Sequence, residues 1–125
     1  MLLIHARVGI SKIHGFGLIA QEFIPKGTVT WKLVPGFDCL FSEEELQSFP
    51  QSVQEQVHHY GHYDSDLNKY VLCSDDARFT NHSDEPTELS CGDHSIAARD
   101  IQPGEEITCD YGDFAHRFNM RQENR

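Results

Sequence analysis

Three short stretches hold the residue types that could do chemistry. Residues 77–86, ARFTNHSDEP, set an arginine, an aromatic ring, an amide, an imidazole and a hydroxyl between two acidic pairs, Asp75-Asp76 and Asp84-Glu85. The side chains of Asn81, His82 and Ser83 compete with the backbone for hydrogen bonds, so this run predicts an ordered turn presenting polar groups. His14-Gly15-Phe16-Gly17 follows a predicted strand. Its glycines would let the backbone approach a ligand closely and offer main-chain groups to a nucleotide-like cofactor. Neither a dinucleotide fingerprint nor a P-loop lysine follows, and alone it reads as a tight turn. In the third stretch, Gly104-Glu105-Glu106-Ile107-Thr108-Cys109-Asp110-Tyr111-Gly112, a predicted strand ends in a tyrosine whose hydroxyl could point into a cleft. A buried tyrosine hydroxyl more often just finds a structural partner.

The whole chain limits what these stretches can be. Its 125 residues make one domain, with a mean hydropathy of −0.50 and no run long and apolar enough to span a membrane. Met1-Leu2-Leu3-Ile4 is followed by His5 and Arg7 instead of a secretory apolar region, so the expectation is a soluble, intracellular protein. Twenty acidic residues against ten basic ones give a net charge of −10, the wrong sign for a direct nucleic-acid binder. An acidic surface suits a basic ligand such as a lysine- or arginine-rich peptide, and it equally serves solubility. Cys39, Cys73, Cys91 and Cys109 are too widely spaced for a zinc site and read as buried small apolar residues.

The elements that must position the three stretches are short. Residues 2–8 and 28–34 read as strands, the second entered through Ile24-Pro25-Lys26-Gly27, a turn signature. Ala97, Ile101 and Gly104 repeat the spacing of Ala20, Ile24 and Gly27, which predicts two similar strand-turn-strand units. Between them Ser42 and Glu45 form a capping-box pattern, and Leu46, Phe49, Val53, Val57 and Tyr60 recur on one helical face, divided by Pro50. Residues 69–74 read as a strand, 88–98 as a hairpin turned at Gly92-Asp93, and 106–109 as a last short strand. The fold class is α+β, made mostly of short strands. A metal hydrolase built on His58, His59 and His62 is the weaker reading, because no glutamate stands in the HExxH position.

Taken together and in this order, the motifs resemble the SET-domain family of protein lysine methyltransferases over nearly the whole chain. The resemblance is carried by His14-Gly15-Phe16-Gly17-Leu18, by Ile24-Pro25-Lys26-Gly27, by Arg78-Phe79-Thr80-Asn81-His82-Ser83 with Pro86, and by Gly104-Glu105-Glu106-Ile107-Thr108 with Asp110-Tyr111-Gly112. It implies a SET domain over residues 1–113 of β-clip architecture, in which the C-terminal segment threads under a preceding loop in a pseudoknot crossing. Residues 114–125 would be a short tail covering the lysine channel. The cofactor implied is S-adenosylmethionine, held by backbone groups of Gly15, Phe16 and Gly17, by Asn81 and by the main chain of His82. Tyr111 would stand where the methyl group is transferred and would also contact the cofactor. Cys109, Tyr70, Phe114 and Phe118 would line or cover the substrate channel, while Arg78, Ser83 and Asp110 would brace the crossing.

The implied substrate is a basic, lysine-containing protein or peptide, a histone-like tail among the candidates, with no metal involved. Where many members carry cysteine after the N-H-S and asparagine after the proline, this chain has Asp84 and Thr87, and no cysteine cluster follows Tyr111. A chain this small could complete its channel by forming a homodimer through its C-terminal residues. Cys109 stands where relatives often place Phe or Tyr, so the resemblance implies room for di- or trimethylation. The alternative function is a SET-like module that binds S-adenosylmethionine or a peptide without turnover.

Overall fold

The two sequence units of like spacing pair with each other. In the computed structural model, which describes residues 1–110, Ile24 and Ile101 exchange both backbone hydrogen bonds at 2.9 Å. On either side, Gly27 N donates to Ala97 O and Gly104 N donates to Ala20 O, each at 2.8 Å. The backbone bonds made by one unit are therefore returned by the other, which gives the centre a local two-fold. Gly27 and Gly104 have φ of 86° and 87°, values that a side chain rarely adopts. Ala20, Ile24, Ala97 and Ile101 are buried and pack with Leu18 and Ile107 as the main core. Each fully buried Leu or Ile there contributes about 2 kcal/mol through removal from water.

Three small sheets grow from this centre. Strands β1 (Ala6–Ile10) and β2 (Phe16–Ala20) precede the first turn and β3 (Val29–Lys32) follows it. Next come β4 (Cys39–Phe41), helices α1 (Glu43–Gln47) and α2 (Gln51–Tyr60), β5 (His62–Asp64), β6 (Lys69–Leu72) and a 3-10 turn, Asp76–Phe79. Two-residue β7 (Asn81–His82), β8 (Glu88–Ser90), β9 (His94–Ala97) and β10 (Glu106–Cys109) complete the described chain. The sheet orders are β1-β2-β10-β7, β3-β9-β8 and β4-β6-β5. This is the α+β, short-stranded architecture the sequence predicts. The part of the expected crossing that lies beyond Asp110, with Tyr111, Phe114 and Phe118, falls outside the described residues.

Local signals are met where their partners are near in sequence. Ser42 accepts from Glu45 N and the Glu45 side chain reaches back to Ser42 N, both at 3.1 Å, closing the capping box at the start of α1. Pro50 is the N-cap of α2 and Gly61 its C-cap. The apolar helical face is narrower than its periodicity predicts. Leu46, Val57 and Tyr70 form a second buried cluster with Phe49 against it, but Val53 and Tyr60 are each 38% exposed. After the break at Pro50, α2 packs against β6.

The first strand starts at Ala6 rather than at Leu2, which instead makes an isolated bridge to Trp31. The four cysteines are not uniformly buried: Cys73 is, Cys109 is half-buried, and Cys39 and Cys91 are exposed. Cys39 lies on an edge strand and Cys91 beside the Gly92 turn.

Candidate functional site

Asn81 and His82 do not form the expected turn. They form β7, which pairs in parallel with β10 through Asn81 opposite Thr108 and His82 opposite Cys109. Ser83 N continues the ladder to Cys109 O at 2.9 Å. The backbone polar groups that a turn would have satisfied locally find partners on a strand some 27 residues away. Because β10 also pairs with β2, this one strand brings the three stretches together.

The Asn81 side chain faces the loop at residues 11–17. Its Nδ2 lies 3.0–3.2 Å from four oxygens: Ser11 Oγ, His14 O, Phe16 O and Glu106 Oε2. Two hydrogens serve four acceptors, so the amide is fully engaged in holding the loop. Glu106 completes the clasp, its Oε1 accepting from Ser11 Oγ at 2.7 Å. Ser11 Oγ in turn accepts from Ile13 N and His14 N, and Ser11 N donates to Gly15 O.

The two loop glycines have different reasons. A Cβ on Gly17 would lie 2.6 Å from Glu106 Oε2, so the bare α-carbon makes room for that carboxylate. Gly15 has φ of 51° and open space where a side chain would be. Phe16 beside it is 62% exposed, leaving a ring at the rim of the loop.

Residues 82–87 brace the other side. His82 Nε2 is 3.0 Å from Asp84 Oδ1, and its Nδ1 is 3.7 Å from Asp110 Oδ1. Thr87 and Thr108 exchange hydrogen bonds, N to Oγ1 in each direction, at 3.2 and 2.8 Å. Both departures from the family pattern, Asp84 and Thr87, are thus committed to neighbours within the chain. Arg78 donates from Nε and Nη2 to Cys73 O at 3.2 and 2.9 Å, tying the end of β6 to the 3-10 turn.

Side chains alternate along β10, so Glu106 turns toward the loop while Cys109 faces away from it. Cys109 lines a cavity of about 120 Å³ together with Trp31, His62, Cys73, Arg78 and Glu88. Burial, helped by Asp38, pushes the Cys73 thiol up to about 12. Burial likewise pushes Glu88 up to about 7, opposed by a hydrogen bond from the Thr30 hydroxyl.

Of the sequence-predicted residues, the structure gathers Gly15, Phe16, Gly17, Asn81 and His82 around one end of the β2-β10-β7 ladder and puts Cys109 on the opposite face. Tyr70 is not on the cavity wall: it is buried in the second cluster, against Tyr63 and the edge of His58. The hydrolase reading does not gather either. His58 meets Tyr70, His59 meets Tyr60 and His62 meets Trp31, and no metal-holding group of three or more His, Cys, Asp or Glu side chains occurs among the described residues. Sequence reasoning missed Glu106 and Glu88. Glu106 could have been found from strand alternation, which turns one glutamate of the Glu105-Glu106 pair inward while Glu105 pairs with Arg99 at 3.0 Å outside.

The SET domain family model matches residues 15–112, and the chain belongs to that family. The fold is similar to that of a candidate histone methyltransferase from Plasmodium falciparum, with a TM-score of 0.62 and 21% identity, covering 89% of this chain and 96% of that one. It is also similar to part of a humanized mutant of the Chaetomium thermophilum Polycomb Repressive Complex 2 bound to the inhibitor GSK126. That likeness has a TM-score of 0.63 and 22% identity, covering 88% of this chain and 15% of that one. No curated protein matches the sequence.

Two predictions follow from this geometry. Gly17→Ala forces Glu106 off Ser11 and Asn81, and Glu106→Ala removes the same contacts, so each costs about 1–3 kcal/mol in urea unfolding. The double variant should cost clearly less than the sum of the two; additive costs would show that the glycine and the carboxylate are independent. The second concerns pH. The folded protein keeps Glu88 protonated up to about 7 whereas an unperturbed glutamate ionises near 4.5, so the folded state binds more protons between those values. Stability from this group is full below the lower value and falls as pH rises through the upper one. Relative to Glu88→Gln, the wild type should therefore lose on the order of 3 kcal/mol between pH 4.5 and 8; a stability difference that does not vary with pH would contradict it.

Proposed function

We propose that this chain is an S-adenosylmethionine-dependent methyltransferase acting on lysine side chains of a basic protein or peptide. The observation that carries the reading is the convergence on β10. The loop at residues 11–17 and the Asn81-His82 strand meet at one end of its ladder, and Cys109 stands on the opposite face. Membership of the SET family supports it.

The residues present fit the cofactor by chemistry. It is a cation at sulfur and at its amino group with a flat adenine, and the loop end offers the open Gly15 turn, the exposed Phe16 ring and the half-exposed Asp110 carboxylate beside His82. The Asn81 amino group is engaged with the loop, so its part is to hold residues 14–16 in place, leaving main-chain groups of the Gly15 turn and His82 for contact. S-adenosylmethionine supplies a methyl group on a positively charged sulfur.

The protein's own task is alignment and exclusion of water, because an in-line displacement at carbon asks for little else. The attacking lysine must be neutral although its free pKa is about 10.4. A narrow, desolvated channel lowers that value. Tyr111, which follows the half-buried Asp110, is assigned to orienting the amine, with Phe114 and Phe118 as the aromatic residues available to cover the channel. The small Cys109 side chain leaves room for an amine already carrying methyl groups. The net charge of −10 attracts a basic peptide from a distance.

The test is release of S-adenosylhomocysteine on incubation with lysine-rich peptides, with the product read by mass spectrometry. The expected result is turnover yielding di- or trimethyl-lysine, reduced about 100-fold in Tyr111→Phe. Cofactor binding without release in any peptide would leave the binding-module reading, and neither binding nor release would refute both.

A further inference from the structure

The hairpin of β1 and β2 differs in charge from everything after it. All twenty acidic residues lie at or beyond Glu22, while Arg7, Lys12, His5 and His14 fall before it. Arg7 and Lys12 are exposed and enter none of the described ion pairs. The hairpin is thus a basic spot on a chain whose net charge is −10. It repels a lysine-rich peptide, so its surface is separate from the one that attracts a basic substrate.

The same hairpin leaves apolar surface and backbone uncovered. Ala6, Val8 and Ile10 share one face of β1, opposite Ala20, Leu18 and Phe16 on β2. Ala20 and Leu18 are fully buried, but the last rung runs out of the core: Ile10 is 86% exposed, and Ile13 in the turn beyond it 53%. Strand β1 is also the edge of its sheet. The bonds from Gln21 N to His5 O and from Ser11 N to Gly15 O put the odd-numbered residues of β1 on the paired side. The N–H and C=O groups of Ala6, Val8 and Ile10 therefore point to the open edge, where they have no partner among the described residues. Such a row is a template for another strand.

We propose that this hairpin docks an extended acidic segment of a partner protein, which adds as a strand along Ala6–Ile10 and seats an apolar side chain on Ile10 and Ile13. Main-chain pairing supplies the affinity and alternate side chains the selection, with Arg7 and Lys12 drawing carboxylates to the edge. The charge pattern favours this occupant over others. A second copy pairing through β1 would set one basic hairpin against another. The chain's own residues 111–125 carry three arginines against two acidic residues, the same sign as the hairpin. An anionic membrane or nucleic acid would meet the acidic remainder of the molecule together with the hairpin, whereas a single segment meets the hairpin alone. Ile10 leads directly into Ser11, so the docked segment lies beside the loop at residues 11–17 and leaves the Cys109 face open. Docking here does not depend on the methyltransferase reading.

The probe is an end-blocked peptide of about eight residues alternating glutamate and isoleucine, long enough to span a strand. Its lysine–isoleucine counterpart and polyglutamate are the controls, and amide hydrogen exchange of the full chain, read by NMR, locates the site. The expected result is slowed exchange at Ala6, Val8 and Ile10 with the glutamate–isoleucine peptide, and affinity that falls as salt is added. Ile10→Ser should weaken binding about tenfold, and Arg7→Glu combined with Lys12→Glu should weaken it further. Because the Ile10 side chain is solvent-exposed, an unchanged urea unfolding curve for Ile10→Ser separates lost docking from lost structure. No binding, equal binding of the lysine–isoleucine peptide, or protection centred away from β1 overturns the proposal. So does a dimer of the chain alone that protects the same amides, or retention on phosphatidylserine vesicles or duplex DNA in place of the peptide.

Discussion

Glu106 receives Ser11 on one carboxylate oxygen and Asn81 on the other, and the glycine at position 17 leaves the space it occupies. These contacts join residues about 70 and 95 positions apart into one node. A half-buried carboxylate with charge-assisted hydrogen bonds on both oxygens is a stiff junction, because losing either donor strands a charge. The loop at residues 11–17 has no hydrophobic anchor of its own, since Ile13 and Phe16 face solvent, so its position depends on this junction.

The junction would be useless if β10 were free to move. Its register is set by the pair of turns at Gly27 and Gly104, whose backbone bonds are returned one for the other across Ile24 and Ile101. A one-residue slip would turn Ile107 out of the core and Glu106 into it, which the buried cluster of Leu18, Ile101 and Ile107 forbids. Core packing thus fixes the alternation that sends Glu106 to the loop and Cys109 to the cavity. The same economy leaves Glu88 inside with a hydroxyl for company, a local conflict of the kind that marks functional positions.

Much of this was legible from residues near each other in sequence. Ser42 with Glu45, Pro50 before α2 and the Gly92 turn each carry their signal within a few residues, and each stands where its chemistry places it. The motifs also named the family. What stayed hidden depended on distant partners. Asn81 and His82 read as a turn because the strand that satisfies their backbone comes 27 residues later. Gly17 read as a ligand-approach glycine because the carboxylate filling its space belongs to Glu106. Val53 matched the helical period, yet the neighbouring sheet covers too little of α2 to bury it, and Tyr70 was claimed by the second core instead of the cavity.

The central claim is that the cofactor end of the site is the node at residues 11–17 and 81–83, held on β10. Hydrogen exchange with and without S-adenosylhomocysteine tests it directly. The account predicts slowed exchange confined to those two segments and the adjoining part of β10, with the β4-β6-β5 sheet unchanged. Protection centred on that sheet, or none at saturating ligand, would contradict it.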